Sequence, residues 1–246
     1  MARVALVTGG MGGIGTAVCE RLAKEGIRVV ANCLPGYPKR AEWLATMQAR
    51  QFDVIAVEAD VTSLADCEGM AKQVIAEFGP VDVLVNAAGI TRDATFRKMG
   101  IDEWKAVIDS NLNAAYNVTK QFVDGMLERG WGRIVNLSSV NGTRGQFGQT
   151  NYSAAKAGLS GFTKALAQEV VRKGVTVNCV SPGYVATDMV RAIRPEVLAG
   201  IVADIPIGRL AQPAEIAALV AFLVSEEAAY ITGANIPING GMHMYG

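Results

Sequence analysis

The chain has 246 residues, 50% hydrophobic and 19% charged, with a mean hydropathy of +0.24, which suits one large α/β domain better than two small ones. Lysine plus arginine equals aspartate plus glutamate at 23 each, so no basic excess points to nucleic acid. No run approaches the ~20 apolar residues of a membrane span. Cys19, Cys33, Cys67 and Cys179 are scattered without a CxxC pair, and the first apolar run is too short for a secretion-signal core. A reducing, cytoplasmic setting is the expectation. His243 is the one histidine, which argues against a histidine triad or a multi-histidine metal site, and no metal is expected.

Arg3 to Val7 is a short apolar run that meets Thr8-Gly9-Gly10-Met11-Gly12-Gly13-Ile14-Gly15, after which Thr16 to Glu25 has helical character. Strand, glycine-rich turn and helix in that order predict a dinucleotide phosphate site, where bare backbone and a helix N-terminus face the anion. The second strand, Arg28 to Cys33, ends without the carboxylate that takes ribose hydroxyls in NAD-preferring folds. Lys39 and Arg40 follow and suit a 2′-phosphate, which favours NADP(H); the other reading makes them solvated charges at the start of a helix over 41–51.

The third strand, Asp53 to Glu58, leads into Asp60-Val61, an acid and an apolar residue that suit adenine. Asp60 equally suits the cap of a helix from Ser63 to Phe78. The fourth strand, Val81 to Val85, flows into Asn86-Ala87-Ala88-Gly89, small residues that admit a ligand close to backbone. A polar loop carrying Asp93 follows, and then a long helix that Asp102 is expected to cap and that runs to Glu128. Asn111 falls inside it, where asparagine is unfavourable, and reads as structural glue, a local bend or part of a proton path.

A fifth strand, Arg133 to Leu137, delivers Ser138 and Ser139, and a helix over 151–173 carries Tyr152 and Lys156. Its small residues permit close packing. After a sixth strand, Val175 to Val180, the loop through Pro182, Gly183, Tyr184 and Val185 lies where open α/β sheets bind ligands. Residues 190–210 are expected to form a helical lid bearing Arg191 and Arg194. Pro213 opens a last helix to Ser225, and Ile231 to Ile238 supplies a seventh strand. Residues 1–246 thus read as a single Rossmann-type α/β domain: a doubly wound, seven-stranded parallel sheet with helices on both faces.

The chemistry concentrates between Ser138 and Lys156. Tyr152 and Lys156 are four apart and share a helix face. A free tyrosine titrates near ~10, and an adjacent ammonium is expected to pull that value down toward a useful range. Ser139, thirteen residues before Tyr152, is placed at a strand end to hold the oxygen that the tyrosine protonates; Ser138 competes for that role.

These landmarks together (the Thr8–Gly15 turn, Asn86-Ala87-Ala88-Gly89, Asn111, Ser139, Tyr152-x-x-x-Lys156 and Pro182-Gly183) resemble the short-chain dehydrogenase/reductase family along nearly the whole chain. Ala87 departs from the Asn-Asn-Ala-Gly of many members. The resemblance implies that Tyr152 exchanges the proton, that Lys156 lowers its pKa and holds the nicotinamide ribose, and that Ser139 orients the carbonyl. It also implies that Asn111 supports a water leading to Lys156. Ala88–Asp93, Gly208-Arg209-Leu210, Trp131–Asn136, Gly145–Tyr152 and the Gly240–Met244 ending resemble the members that reduce 3-oxoacyl thioesters, above all acetoacetyl-CoA. That implies NADPH, a product of (R)-3-hydroxybutyryl-CoA for polyhydroxybutyrate synthesis, and a homotetramer. Gln146, Phe147 and Gln149 are expected to shape the pocket, with an amide on the thioester oxygen and Phe147 limiting acyl length; the alternative leaves the glutamines on the surface. Tyr184 and Asp93 are expected to face the same space, and Arg194 to meet a CoA phosphate or carrier-protein acid. The rivals are a 3-oxoacyl-carrier-protein reductase and, more remotely, a dinucleotide sensor without catalysis.

Overall fold

The computed structural model describes residues 2–244. Seven parallel strands form one sheet in the order β3-β2-β1-β4-β5-β6-β7: β1 Val4–Thr8, β2 Arg28–Cys33, β3 Val54–Glu58, β4 Val83–Asn86, β5 Gly132–Leu137, β6 Val175–Pro182 and β7 Asn235–Ile238. All five β1 residues are buried, yet they still alternate between faces. Val4 and Leu6 join a core with Met70, Val74, Phe122 and Met126. Ala5 and Val7 join the opposite core with Val18, Leu22, Met47 and Ile216. Helices α1 (Gly13–Lys24), α2 (Arg40–Ala49) and α10 (Pro213–Val224) cover the second face, and α3 (Leu64–Phe78), α5 (Ala114–Arg129) and α7 (Thr150–Val170) the first. The doubly wound seven-stranded parallel sheet is as expected.

The order reverses between β1 and β4, so their carboxyl ends diverge and open the cleft where such sheets bind ligands. Thr8 pins this point, its hydroxyl accepting from the Ala87 and Ala88 amides at 3.0 and 3.1 Å.

Several boundaries differ from expectation. The glycine turn is itself helical: α1 begins at Gly13, three residues before Thr16. The helix through Asn111 is broken into α4 (Ile101–Ile108), a π-helical turn over Asp109–Asn113, and α5. Gly100, not Asp102, is the N-cap of α4; Asp102 lies in the first turn. Ser63, not Asp60, caps α3, its hydroxyl accepting from the Asp66 amide. Asp60 instead turns its carboxylate onto the Thr62 amide and hydroxyl. The segment expected as a lid holds two helices, α8 (Asp188–Arg191) and α9 (Pro195–Ala203), separated by residues 192–194, with Pro195 opening the second. A short α6 (Asn141–Arg144) had no counterpart in the reading of the sequence.

At the opposite, amino-end base of the sheet, Trp131 is sandwiched between guanidiniums. Arg3 lies 3.6 Å and Arg133 4.4 Å from its ring centre, and Glu226 pairs with both arginines while accepting from the indole N–H.

Candidate active site

The carboxyl end of β5 and the first turns of α7 meet at Ser139, Tyr152 and Lys156. Ser139 accepts the Asn141 amide at 3.1 Å and shares the cavity wall with Tyr152, whose ionised form its hydroxyl favours. Lys156 is buried, 4% exposed, and its Nζ donates to the Leu137 carbonyl at 2.7 Å, 5.6 Å from the Tyr152 ring centre. The two groups do not shift as expected. Burial pushes the Tyr152 phenol up to about 12, against the hydrogen bond from Ser139 and with help from the Asp93 charge. Burial likewise pulls Lys156 down to about 8. Both sit where charge is poorly solvated, so desolvation outweighs mutual assistance. The Lys156 ammonium points at a backbone carbonyl rather than lowering the phenol.

These side chains line a cavity of about 350 Å³ whose walls also include Asn111, Asp93, Gln149, Tyr184, Val190 and Ile193. The π-helical turn explains Asn111: its Nδ2 donates to the Ile90 and Val107 carbonyls at 2.8 and 2.9 Å, and its Oδ1, buried, has no partner. A Cβ built on Gly89 would stand 2.3 Å from that Oδ1 and 3.5 Å from Lys156 Nζ, so any side chain at 89 would collide with the Asn111 amide where it packs on bare backbone. A polar chain crosses the cavity floor: Asn141 Nδ2 donates to Gln149 Oε1 at 3.0 Å, and Gln149 Nε2 donates to Asp93 at 2.9 Å.

The glycine turn fits the diphosphate of a dinucleotide. Gly12 caps α1 with no side-chain acceptor, and no acidic residue occupies the first turn, so the leading amides are presented to an anion. Gly9 adopts φ +61°, and a Cβ on Gly15 would lie 2.2 Å from the Gly9 carbonyl oxygen. Ile14, Ala87 and Gly89 carry the cleft from this turn to the Tyr152 cavity, with Pro182, Gly183 and Val185 opposite.

The short chain dehydrogenase family model matches residues 3–198. The chain belongs to that family. Among curated proteins, it is 62% identical to acetoacetyl-CoA reductase of Cupriavidus necator over 98% of each chain. It is 58% identical to acetoacetyl-CoA reductase of Allochromatium vinosum over the full length of both. It is also 44% identical to the 3-oxoacyl-[acyl-carrier-protein] reductase of Salmonella typhimurium, over 98% of each.

In this dehydrogenase the expected pocket group divides. Gln149, Asp93 and Tyr184 line the cavity; Gln146, Phe147 and Arg194 are not among its walls. Phe147 is 86% exposed and forms no plate beside the chemistry. The Gln146 carbonyl oxygen is taken by Arg144 at 3.1 Å. Arg194 is a solvent-facing charge paired with Glu196 at 3.4 Å. Gln149 accepts from Asn141 and spends one N–H on Asp93, which fixes its amide and leaves the second N–H of Nε2 with no partner among the described residues at the cavity wall.

The nucleotide residues divide as well. Arg40 donates to the Ala56 carbonyl at 3.4 Å and lies 3.6 Å from Glu58, an acid at the end of β3 that the reading of the sequence passed over. Lys39 is exposed at the start of α2. The Asn86 side chain lies in the core, donating to Asn136 and Thr119, so only its backbone reaches toward the cleft. Val61 is buried and its carbonyl accepts from Asn117. Asn141, Thr8 and Glu58 were missed because their roles depend on α6, on a strand end and on a cross-strand neighbour, none of which has a local signature.

Proposed function

We propose that this chain reduces acetoacetyl-CoA to (R)-3-hydroxybutyryl-CoA with NADPH, feeding polyhydroxybutyrate synthesis. The observation that carries the reading is a cavity walled by Ser139, Tyr152 and Lys156 together, in a chain whose full-length relatives bear that substrate in their names. Bound NADPH supplies the hydride for the C3 carbonyl carbon. Ser139 and Tyr152 bind the carbonyl oxygen, and Tyr152 gives it a proton as negative charge develops there. A phenol held at about 12 is protonated at neutral pH, the state that reduction requires. Lys156 holds the nicotinamide ribose, and Asn111, through its unpartnered Oδ1, supports the water that refills the proton. The glycine turn from Gly9 to Gly15 holds the diphosphate, Asp60 and Val61 take adenine, and Lys39 with Arg40 takes the 2′-phosphate.

The chain acts as one NADP(H)-binding unit, with residues 190–210 as the substrate lid: Val190 and Ile193 reach the cavity, and α9 buries none of its own residues. It is a cytoplasmic homotetramer. No helix among the described residues is long and apolar enough to cross a membrane.

The carrier-protein reading is less favoured, because the relative that bears that name is 44% identical, against 62% and 58% for the two acetoacetyl-CoA reductases. Comparing kcat/KM on acetoacetyl-CoA and the carrier-linked substrate, with NADPH and with NADH, tests the proposal. Preference for the carrier-linked substrate overturns it.

A further inference from the structure

Three successive residues at the carboxyl end of β5 and just past it are tied to α7 by hydrogen bonds that none of the roles above uses fully. Asn136 Nδ2 donates to the Thr163 hydroxyl at 2.8 Å. The Leu137 carbonyl accepts from Lys156 Nζ at 2.7 Å. The Ser138 hydroxyl donates to the Lys156 backbone carbonyl at 2.8 Å. Asn136 and Thr163 are fully buried and Ser138 is 5% exposed. Ser139, next in line, reaches Tyr152.

The Ser138 bond is unusual in its target. A carbonyl inside a helix already accepts from the amide four residues on, so Ser138 uses its second lone pair. The hydroxyl therefore grips the backbone of α7 at the catalytic lysine and reports the position of the helix itself, not of one rotamer. Thr163 makes the second attachment seven residues further along, about two turns and ~10 Å down the same face. Two attachments that far apart fix both the axial position and the tilt of α7. The other side closes the clamp: a Cβ on Gly142 of α6 would stand 2.8 Å from the Lys156 carbonyl carbon, so α6 backbone presses directly on α7 there.

We infer that Ser138 and Thr163 are positioning residues that set the register of α7 on β5, and so bring the Tyr152 hydroxyl to Ser139 and the substrate oxygen. This inference rests on the catalytic reading above. It also decides between the adjacent serines: Ser138 is committed to the helix, and Ser139 is left for the chemistry.

The test compares Ser138→Ala, Thr163→Val and Thr163→Ser in the full chain, with acetoacetyl-CoA and NADPH. Losing either attachment is expected to lower kcat about tenfold to a hundredfold, the scale of a displacement approaching 1 Å at the reacting atoms. The KM for NADPH should rise far less than kcat falls, since the diphosphate is held by the glycine turn on another element and only the Lys156 contact to the ribose moves with α7. Thr163→Ser keeps the hydroxyl and should restore kcat. In a Tyr152→Phe background, Ser138→Ala should cause no further loss, because the hydroxyl it positions is gone.

Wild-type kcat in Ser138→Ala and Thr163→Val overturns the inference, as does an equal loss with and without Tyr152. If Thr163→Val does not fold, Ser138→Ala, which deletes one oxygen, decides the matter. Full activity in Tyr152→Phe alone would instead remove the catalytic reading, a separable result.

Discussion

At the scale of single residues, the site holds two titrating groups in an environment that suits neither as an ion. Lys156 shows the cost. Its value of about 8 lies below the ordinary 10.5, so between those two values the unfolded chain binds more protons than the folded one, and stability rises with pH across that window. Below about 8 the buried ammonium is retained at a cost on the order of 3 kcal/mol. Lys156→Met should therefore melt higher than the wild type at pH 7, by a margin that shrinks toward pH 10, while reduction is lost. A melting series over that range checks it, and an unchanged melting temperature would contradict it. Tyr152 has the opposite sign: its proton is held more firmly folded than unfolded, so its contribution is present below about 10 and lost as pH rises through about 12. The reaction follows the same logic. Reduction should hold through neutral pH and fall as Lys156 loses its proton near 8, whereas alcohol oxidation, which needs the phenolate, should gain on the alkaline side. Tyr152→Phe should cost about 10²-fold or more in kcat with NADPH affinity retained, measured by fluorescence titration. The four-residue spacing of Tyr152 and Lys156 recurs on many helix surfaces, and the pair was legible as a candidate site only beside the glycine turn, Asn111 and Ser139. Their pKa values were not, because desolvation depends on everything packed around them.

At the scale of elements, the glycine turn, the strands and the helix pair α6/α7 place groups that sequence spacing leaves apart. The order of the seven strands and of the longer helices was legible, since apolar runs alternate with turn residues and amphipathic stretches; the short α6 and the division of the lid into α8 and α9 were not. The π-helical turn at Asn111 was not, because it arises from a side chain that bonds the backbone of a neighbouring loop. It is also sensitive to its partner: a Cβ on Gly158 of α7 would lie 2.9 Å from Leu112, so Gly158→Val should displace the turn and lower kcat without altering the KM for NADPH. An unchanged kcat would show that the turn yields freely. The β2–α2 junction carries the cofactor choice. Glu58 lies 3.6 Å from Arg40, so Arg40→Ala removes a cation and also leaves that acid unneutralised beside the expected 2′-phosphate. The KM for NADPH should rise severalfold more than that for NADH. Equal effects on both would place the 2′-phosphate elsewhere. Phe147 lies outside the cavity wall for a related reason: an aromatic close in sequence to the reaction centre need not point into it, and here it faces solvent.

For the whole molecule, a core on each face of the sheet makes the chain insensitive to redox conditions. Cys19, Cys33, Cys67 and Cys179 are free and buried, and burial raises the thiol pKa of each. Labelling by a thiol reagent should be slow in the native state and complete only on unfolding; rapid modification of even one cysteine would mean that the sheet opens locally. The doubly wound architecture was legible because strands buried on both faces read as unbroken apolar runs.

The clasp at the base of the sheet gives the molecule an optical readout. Trp131, between Arg3 and Arg133 and bonded to Glu226, lies at the end of the sheet away from the cleft, with its emission set by charged neighbours. Trp43 donates its indole N–H to Thr16 at 2.9 Å, beside the glycine turn. The two indoles are thus a built-in pair of reporters: nucleotide titration should quench Trp43 and leave Trp131 dark to the event, whereas denaturant should shift Trp131 as its arginines depart. Single-tryptophan variants would separate occupancy of the cleft from integrity of the fold in one spectrum.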